Sequence, residues 1–582
     1  MTEKLLSYYL NESKKIKCDN SFNKKIKIAL LSSFTISGIA ETIIVKCNAE
    51  KINCSTYSAP YNQYVQQILD KNSSLHKFQP DLTFLILDSR SILGDLFYDP
   101  FSVSVSERKK IIIKKSSELL ELINNFSKEL NSTIIVTNLL IPYYSPYGIF
   151  ENKSEYGIKE MIQDYNNILK DNLKNETSQY VFDFNSFVSK HGELNIFDYK
   201  QYFLGDIKIS FKFLPFLAEE FLGFIKPFLG KNRKCIVLDL DNTLWGGIVG
   251  EDGYDGINLG ATPPGNAFVE FQKYLLALNK RGIILAINSK NNENDALKVI
   301  REHPNMILRE ENFSAMRINW NDKISNMKDI SNELNIGLDS LVFIDDDNVN
   351  RELMKKAIPE VLTIDVQKDP SSYVQTLQEI NDLNVLKITD EDENRSKMYS
   401  EQKKRNEVYQ KTSNLEEFLK DLEIQVNIKR ADSFSIPRIS QLTLKTNQFN
   451  LTTKRYQENE IRQMSNNEQF FIVSVNVKDK FGDNGISGTF IVEKKSNEWI
   501  IDTFLLSCRV IGRGVEIGIM SYLLQEAKNQ GISSVRGEFI PTEKNQPAST
   551  LFQECDFIKN GNEWIFNLKN KIKIPKYLSI IK

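Results

Sequence analysis

Histidine and cysteine are scarce in this 582-residue chain, with three of the first and six of the second. The cysteines stand at positions 18, 47, 54, 235, 508 and 555, none of them in a CxxC and none spaced with a histidine as metal ligands are. That excludes a zinc site of paired cysteines and histidines and points to a reduced, cytoplasmic protein. Charge of one sign is lacking as well. The 74 Lys and Arg face 76 Asp and Glu, so there is no electrostatic footprint for nucleic acid, and net charge implies no acidic partner. No apolar run is long enough to cross a bilayer, and the opening MTEKLLSYYLNESKKIK has neither the apolar core nor the small-residue cleavage site of a secretory signal; no membrane association is expected. Internal repeats and low-complexity tracts are missing. Asn, Lys and Ile are abundant, yet apolar periodicity persists throughout, at a length that suits several domains.

The chain is organised around Lys234 to Gly253, KCIVLDLDNTLWGGIVGEDG, where a short apolar run ends in two carboxylates one residue apart. Ile236, Val237 and Leu238 read as a strand covered on both faces, delivering Asp239 where it emerges. Extended alternation points Asp239 and Asp241 the same way. Two carboxylates so close repel unless a cation or a shared proton relieves them, and magnesium with oxygen ligands does so. Taken alone, Asp241, Asn242 and Thr243 read equally well as turn formers or a helix cap. Three later segments shift that balance. Gly282 to Ile287 is a second apolar run, ending in Asn288-Ser289-Lys290; Lys323 opens a helical pattern; Leu341 to Ile344 is a third run, ending in Asp345-Asp346-Asp347.

Strand-end Asp pair, strand-end Ser, Lys and strand-end Asp pair, in that order, resemble the four motifs of the haloacid dehalogenase superfamily of phosphohydrolases and phosphotransferases. The chemistry accounts for each residue type. Asp239 would attack the phosphoryl group and form an aspartyl phosphate, and Asp241 would protonate the leaving oxygen and then activate an acceptor. Ser289 would donate to the transferring oxygens and Lys323 would neutralise their growing charge. Asp345 and Asp346 would complete a magnesium shell with Asp239 and the Asp241 carbonyl. Between Asp241 and Ser289 there is room only for the Gly-rich loop Trp245 to Gly260 and one helix, Phe268 to Lys280, so no cap domain is inserted and the site is open to a large substrate. In that loop Trp245, Gly246 and Gly247, with Asn242 before them and Asn288 and Lys290 on the second strand end, are the candidate phosphate and substrate contacts. A merely permissive loop is the alternative.

Residues 1–229 alternate strands and helices, with Ile26 to Leu31, Leu82 to Asp88, Thr133 to Leu139 and Tyr180 to Phe184 as the clearest strands of a flavodoxin-type parallel sheet. Ser32 and Ser33 after the first strand look like the nucleophile turn of SGNH hydrolases. Where those enzymes have DxxH, this chain has Asp206-Ile207-Lys208-Ile209, and His191 stands earlier, read as a surface-loop residue; an inactive docking domain is expected. The middle domain is 230–385. A polar connector helix follows over 386–421, ending with Ser413 and Glu416 spaced as a capping box. Over 422–582 an α+β order of strands and helices places Arg509-Val510-Ile511-Gly512-Arg513-Gly514 between a strand and the helix Val515 to Lys528. This is the RxxGxG form of the pyrophosphate cradle of GNAT-type acyltransferases, with Arg509, Gly512, Arg513 and Gly514 as candidate CoA or pantetheine contacts. A tight turn with solvated arginines is the bland alternative.

VLDLDNTLWGGIVGEDG, HPNMILREENF, RINWNDK, VFIDDDNVNRE, LTLKTNQFNLTT and FLLSCRVIGRG together resemble the FkbH-like proteins, class IIIC haloacid dehalogenase phosphatases, over nearly the full chain. The resemblance implies a magnesium enzyme that takes a glyceryl unit from 1,3-bisphosphoglycerate, removes phosphate and loads the acyl group on the phosphopantetheine thiol of an acyl carrier protein in a polyketide, tetronate or glycan pathway. Two departures stand out. Family members commonly carry Cys immediately before the second-motif Ser, where this chain has Asn288, and Asp347-Asn348 replaces the usual Asn-Pro. Phosphoryl chemistry survives these changes on paper; a covalent acyl step at that position does not, because an amide cannot replace a thiolate. Cys235 lies about 13 Å up the strand from the site, and Cys508 reads as a buried strand residue. A plain small-molecule or sugar phosphatase and a CoA- or carrier-dependent N-acyltransferase are the rival readings; a non-enzymatic scaffold would leave the acidic and basic set without a purpose.

Overall fold

Lys226 divides the chain into two compact units, Met1–Ile225 and Lys226–Lys582. The computed structural model describes residues 4–19, 21, 22, 24–393, 398, 401, 405, 419–542 and 544–581. The expected capping box at Ser413 and Glu416, and most of the connector helix, lie outside the described residues.

The first unit is a five-stranded parallel sheet in the order β2-β1-β3-β4-β5, built from β1 Lys24–Ser32, β2 Ile52–Ser58, β3 Leu82–Ile86, β4 Thr133–Thr137 and β5 Gln179–Phe182. β3 and β4 are buried at every position, as central parallel strands must be. β2 was not legible in the sequence, because INCSTYS is polar and pairs only at the sheet edge. The helix Val105–Glu129 starts where the Ser104 side chain accepts from the Glu107 backbone N–H, and Ile112, Leu119, Leu122, Ile123 and Phe126 line its buried face.

The second unit opens with another parallel sheet, order β10-β9-β6-β7-β8, from β6 Cys235–Leu238, β7 Ile284–Ser289, β8 Phe313–Ile318, β9 Leu341–Ile344 and β10 Leu362–Ile364. Alternation sorts its side chains. Ile236, Leu238, Leu285, Ile287, Val342 and Ile344 pack into one core; Cys235, Val237, Ile284, Ala286, Leu341 and Phe343 pack on the other face with Met327 and Ile330 of the helix Lys323–Glu333. Between β6 and β7 lie only the short helix Val249–Asp252 and the helix Gly265–Lys280, and a single longer helix, Lys323–Glu333, joins β8 to β9, so no cap is inserted.

The chain then builds a nine-stranded mixed sheet. Its path runs β17-β18-β16-β15-β14-β13-β11-β19, and β12 pairs with β15; the ranges are β11 Gln425–Arg430, β12 Phe449–Asn450, β13 Phe470–Asp479, β14 Gly482–Lys494, β15 Glu498–Leu506, β16 Ser534–Glu538, β17 Ile558–Asn560, β18 Glu563–Asn567 and β19 Ser579–Ile581. Helix Val515–Asn529 packs its buried Ile519, Leu523 and Leu524 into the same core as Phe490, Trp499 and Phe504. Multidomain α/β with two parallel sheets and a mixed α+β part is therefore the architecture. β12, β19 and the helix Glu458–Ser465 escaped the sequence reading, being short or largely polar.

Candidate active site

Register sets the site. Leu238 pairs with both Ile287 and Ile344, so one residue further along Asp239, Asn288 and Asp345 stand level on three adjacent strands. By alternation they continue the face that meets the helix Lys323–Glu333. Lys323, the first residue of that helix, accordingly reaches both acids: its Nζ is 3.0 Å from Asp239 Oδ1 and 2.6 Å from Asp345 Oδ2. The Asp322 side chain caps the helix by accepting from the Ser325 N–H, which fixes where Lys323 starts. Burial works against the Lys323 charge, but Asp239 and Asp345 outweigh it and hold its pKa above the usual lysine value.

The carboxylates of Asp239, Asp345 and Asp346 offer oxygens that all lie within 4.8 Å of one another. Asp239 Oδ1 is buried, and its partner is the Lys323 ammonium at 3.0 Å. Burial first, and then Asp239 and Asp345, push the Asp346 carboxyl up to about 7, and burial and Asp239 raise Asp345. Three converging carboxylate oxygens with a single lysine between two of the acids, and two acids held reluctantly ionised, fit a hard divalent cation such as magnesium. Arg351, on the helix Asn348–Ala357, donates to the carbonyls of Asp345 at 2.8 Å and Asp346 at 2.6 Å and so fixes the backbone of the acid pair.

Asp241 stands apart from this cluster. Its Oδ1 accepts from Trp245 Nε1 at 2.9 Å and the Val249 N–H at 3.1 Å, and its Oδ2 from Asn291 Nδ2 at 2.8 Å. Burial raises its pKa despite those donors, with Asp239 adding to the effect, which is the state a proton donor needs. Among the expected metal ligands it therefore has only its main-chain carbonyl to offer. Ser289 is buried beside Asn291, whose Nδ2 is 3.4 Å from its hydroxyl.

Several expected substrate contacts have other duties. Trp245 is fully buried and holds Asp241 instead of lining a pocket. Asn242, in left-handed conformation, accepts from the Gly247 N–H at 2.9 Å and closes the loop. Gly246 is required because a Cβ there would press into the Phe268 ring, and Gly247 by its φ of 93°. Asn288 is fully buried; its Nδ2 donates to the Lys323 carbonyl at 2.9 Å and its Oδ1 accepts from Asn326 Nδ2 at 3.2 Å, so it clamps the lysine helix to the sheet. Lys290 alone of the set is exposed. Asn291, Arg351 and Tyr373, whose hydroxyl donates to the Asn242 carbonyl at 3.0 Å, were not singled out in the sequence; only proximity to the strand-end motifs could have flagged the first two.

Residues 27–226 match the family described as FkbH, N-terminal domain. The N-terminal part of the protein BF1531 from Bacteroides fragilis, which contains a phosphatase domain and was solved with Mg, is 27% identical, covers 66% of this chain and 99% of its own, and superposes with a TM-score of 0.60. Over residues 27–226 the chain is similar to FkbH proteins. The likeness to that Mg-bound structure supports a phosphatase of haloacid dehalogenase type. An acetyltransferase of the GNAT family from Desulfovibrio desulfuricans is 8% identical over 25% of this chain and 99% of its own, and spermidine N-acetyltransferase from Vibrio cholerae, solved with CoA and spermine, 11% over 25% and 96%; both have a TM-score of 0.21, too slight for a functional argument. No curated protein matches the chain. No helix among the described residues is long and apolar enough to cross a membrane.

The glycine turn Arg509 to Gly514 departs from the expected cradle. Arg513 is buried, with Nη1 3.0 Å from Asp479 Oδ2, and Arg405 grips the same carboxylate at 2.7 and 2.9 Å. Burial first, and Arg405 with it, lower the Arg513 pKa to about 10. Its guanidinium also donates to the Arg509 carbonyl, so it braces the turn and offers nothing to a phosphate. Tyr577 stands against Gly514, and Glu516 in the helix's first turn is half-buried, with its Oε2 buried and unpartnered and its pKa raised by burial. Beyond Ile501, where β15 leaves β16, the chain itself fills the gap: Leu451 N–H donates to the Phe504 carbonyl at 3.1 Å and Ile540 N–H to the Leu451 carbonyl at 2.8 Å. Gly512, at φ 77° with open space around it, and Arg509 are what remains of the set. Asp479→Ala, which would remove the carboxylate that two buried guanidiniums share, is expected to cost about 3–5 kcal/mol of stability in urea denaturation followed by tryptophan fluorescence.

Cys508 lies in the turn Cys508–Val510, half-buried, and not in a strand as read from sequence; its carbonyl accepts from Asn335 Nδ2 at 2.7 Å. It borders a cleft of about 370 Å3 with Lys234, Asp339, Lys445, Arg509 and Lys544. Lys234 precedes β6 and Asp339 precedes β9, so the cleft meets the middle sheet at the end opposite Asp239, about 16 Å of extended strand away. Cys235 is fully buried at that same end and its thiol is pushed up by burial.

Proposed function

We propose that the protein is a magnesium-dependent phosphatase and acyl-transfer enzyme that dephosphorylates 1,3-bisphosphoglycerate or a related acyl phosphate and hands the acyl unit to the pantetheine thiol of an acyl carrier protein in the cytoplasm. The observation that carries the phosphoryl half is the meeting of Asp239, Lys323, Asp345 and Asp346 at one strand-end level. Asp239 attacks the ester phosphorus, the P–O bond to the substrate breaks, and Asp241 gives its proton to the departing alkoxide; the aspartyl phosphate is then hydrolysed by water that Asp241 deprotonates. Bound magnesium would supply positive charge to the phosphoryl oxygens, held by Asp239, Asp345 and Asp346. Lys323 supports the same charge from the protein side. In the acyl half, the carrier thiolate attacks the acyl carbon of the acyl phosphate and inorganic phosphate leaves. Arg509 and Gly512 are the groups that would receive the carrier's pantetheine phosphate.

One observation favours a plain phosphatase as the second reading. Asn288 stands level with Asp239 and is locked to Lys323 and Asn326, and the middle domain's single cysteine, Cys235, is buried at the far end of its strand. Incubation with 1,3-bisphosphoglycerate, magnesium and a phosphopantetheinylated carrier separates the two. Carrier-dependent phosphate release, with a glyceryl thioester on the carrier by intact mass, is the expected result. Unchanged release with an unloaded carrier leaves the phosphatase alone, and no release from any phosphate ester or acyl phosphate overturns both.

A further inference from the structure

The C-terminal ends of β1, β3, β4 and β5 in the first unit border a partly open cavity of about 50 Å3, lined by residues that follow each of those strands: Phe34, Asp88 and Arg90, Tyr144, and Phe184. The sheet order 2-1-3-4-5 reverses between β1 and β3, the place where open parallel sheets hold ligands. No nucleophile with a base faces it. Ser33 Oγ accepts from the Asp88 N–H at 3.0 Å, Ser32 Oγ from the Phe34 N–H at 3.1 Å, and His191 ends the helix Phe184–His191, packed among Phe187, Phe213 and Phe216 instead of standing in a loop.

The charges around the cavity are unevenly matched. Lys208 is 2.5 Å from Asp88 and 3.5 Å from Asp206. Asp198 caps the helix Tyr199–Gly205 through the Gln201 N–H at 3.0 Å, and Glu193 accepts from the Tyr143 N–H at 3.0 Å. Arg90 has no carboxylate within 4 Å among the described residues. Its guanidinium donates to Tyr144 Oη at 2.7 Å and lies 5.3–5.9 Å from the rings of Phe97, Tyr98, Tyr199 and Tyr202. A guanidinium has five N–H donors; here rings cover its face and tyrosine hydroxyls meet part of its edge, which leaves donors for an anion.

We propose that this cavity binds a small monocarboxylate with a short apolar stem, its carboxylate on the edge of Arg90 and its stem between the aromatic walls. The size admits only a few heavy atoms. Asp88, Glu193 and Asp198 line the cavity as well and repel a dianion more than a monoanion, so a phosphate monoester fits less well than a carboxylate.

Calorimetric and saturation-transfer NMR titration of the full chain with butyrate, and separately with inorganic phosphate, tests this. Butyrate is expected to bind, Arg90→Gln to weaken it at least tenfold, and Arg90→Lys to weaken it less, with magnesium-dependent phosphate release unchanged in both variants. Phe197→Trp, which fills the cavity and leaves Arg90 in place, should abolish binding and serves if Arg90→Gln does not fold. Absence of butyrate binding, binding unaffected by Arg90→Gln or by Phe197→Trp, or tighter binding of phosphate than of butyrate would each overturn the assignment.

Discussion

Asp239→Asn is expected to keep the fold and to lower phosphate release by on the order of 10^4–10^6, the loss usual when a nucleophile is removed. The amide is isosteric, and the backbone bond that places the residue, Asp239 N–H to the Ile344 carbonyl at 3.0 Å, does not involve the side chain. One negative charge leaves a cluster in which Asp239 itself raises both Asp345 and Asp346, and Lys323 keeps its 2.6 Å partner Asp345. The variant should therefore unfold at no lower a temperature than the parent without magnesium, while binding the ion more weakly. Thermal denaturation and a coupled phosphate assay read the two effects separately. Near-normal release by a folded Asp239→Asn would remove the haloacid dehalogenase reading altogether.

What could be read from the sequence was periodicity and its interruptions. Apolar runs that stop at Asp239, Ser289 and Asp345 announce buried parallel strands and the acids at their ends, because a strand covered on both faces tolerates a charge only where it emerges. Register could not be read: nothing in the letters says that Leu238 pairs with both Ile287 and Ile344, yet that pairing is what sets Asn288 beside Asp239 and turns it toward Asn326. The glycine turn shows the converse error. Its spacing matches a phosphate cradle, but the partner that claims Arg513, Asp479, lies 34 residues earlier at the end of β13, and no local pattern links the two. Short polar strands such as β2 and β12 escaped because their pairing comes from tertiary context and not from their own side chains.

Lys323→Met should have effects of opposite sign on turnover and on dependence upon magnesium. Methionine keeps the length and the apolar stem that packs at the start of the helix and removes only the ammonium group. Without magnesium, Asp239 and Asp345 then lose the single cation that stands 3.0 and 2.6 Å from them in a buried setting. Breaking a buried pair in this way costs about 3–5 kcal/mol, because the remaining charges are left uncompensated. Magnesium binds only the folded cluster and restores stability by RT ln(1 + [L]/Kd), so the variant should gain more in melting temperature on adding the ion than the parent does. Calorimetric titration should show affinity equal to or tighter than the parent's, since a competing positive charge has gone. Turnover, by contrast, should fall by about 10^2–10^3-fold even at saturating magnesium, because the charge that grows on the transferring phosphoryl oxygens loses a preorganised partner the ion does not replace. A variant that kept its turnover would make Lys323 a structural neutraliser of the acids, and one whose stability ignored magnesium would leave Asp239, Asp345 and Asp346 without their assigned cation.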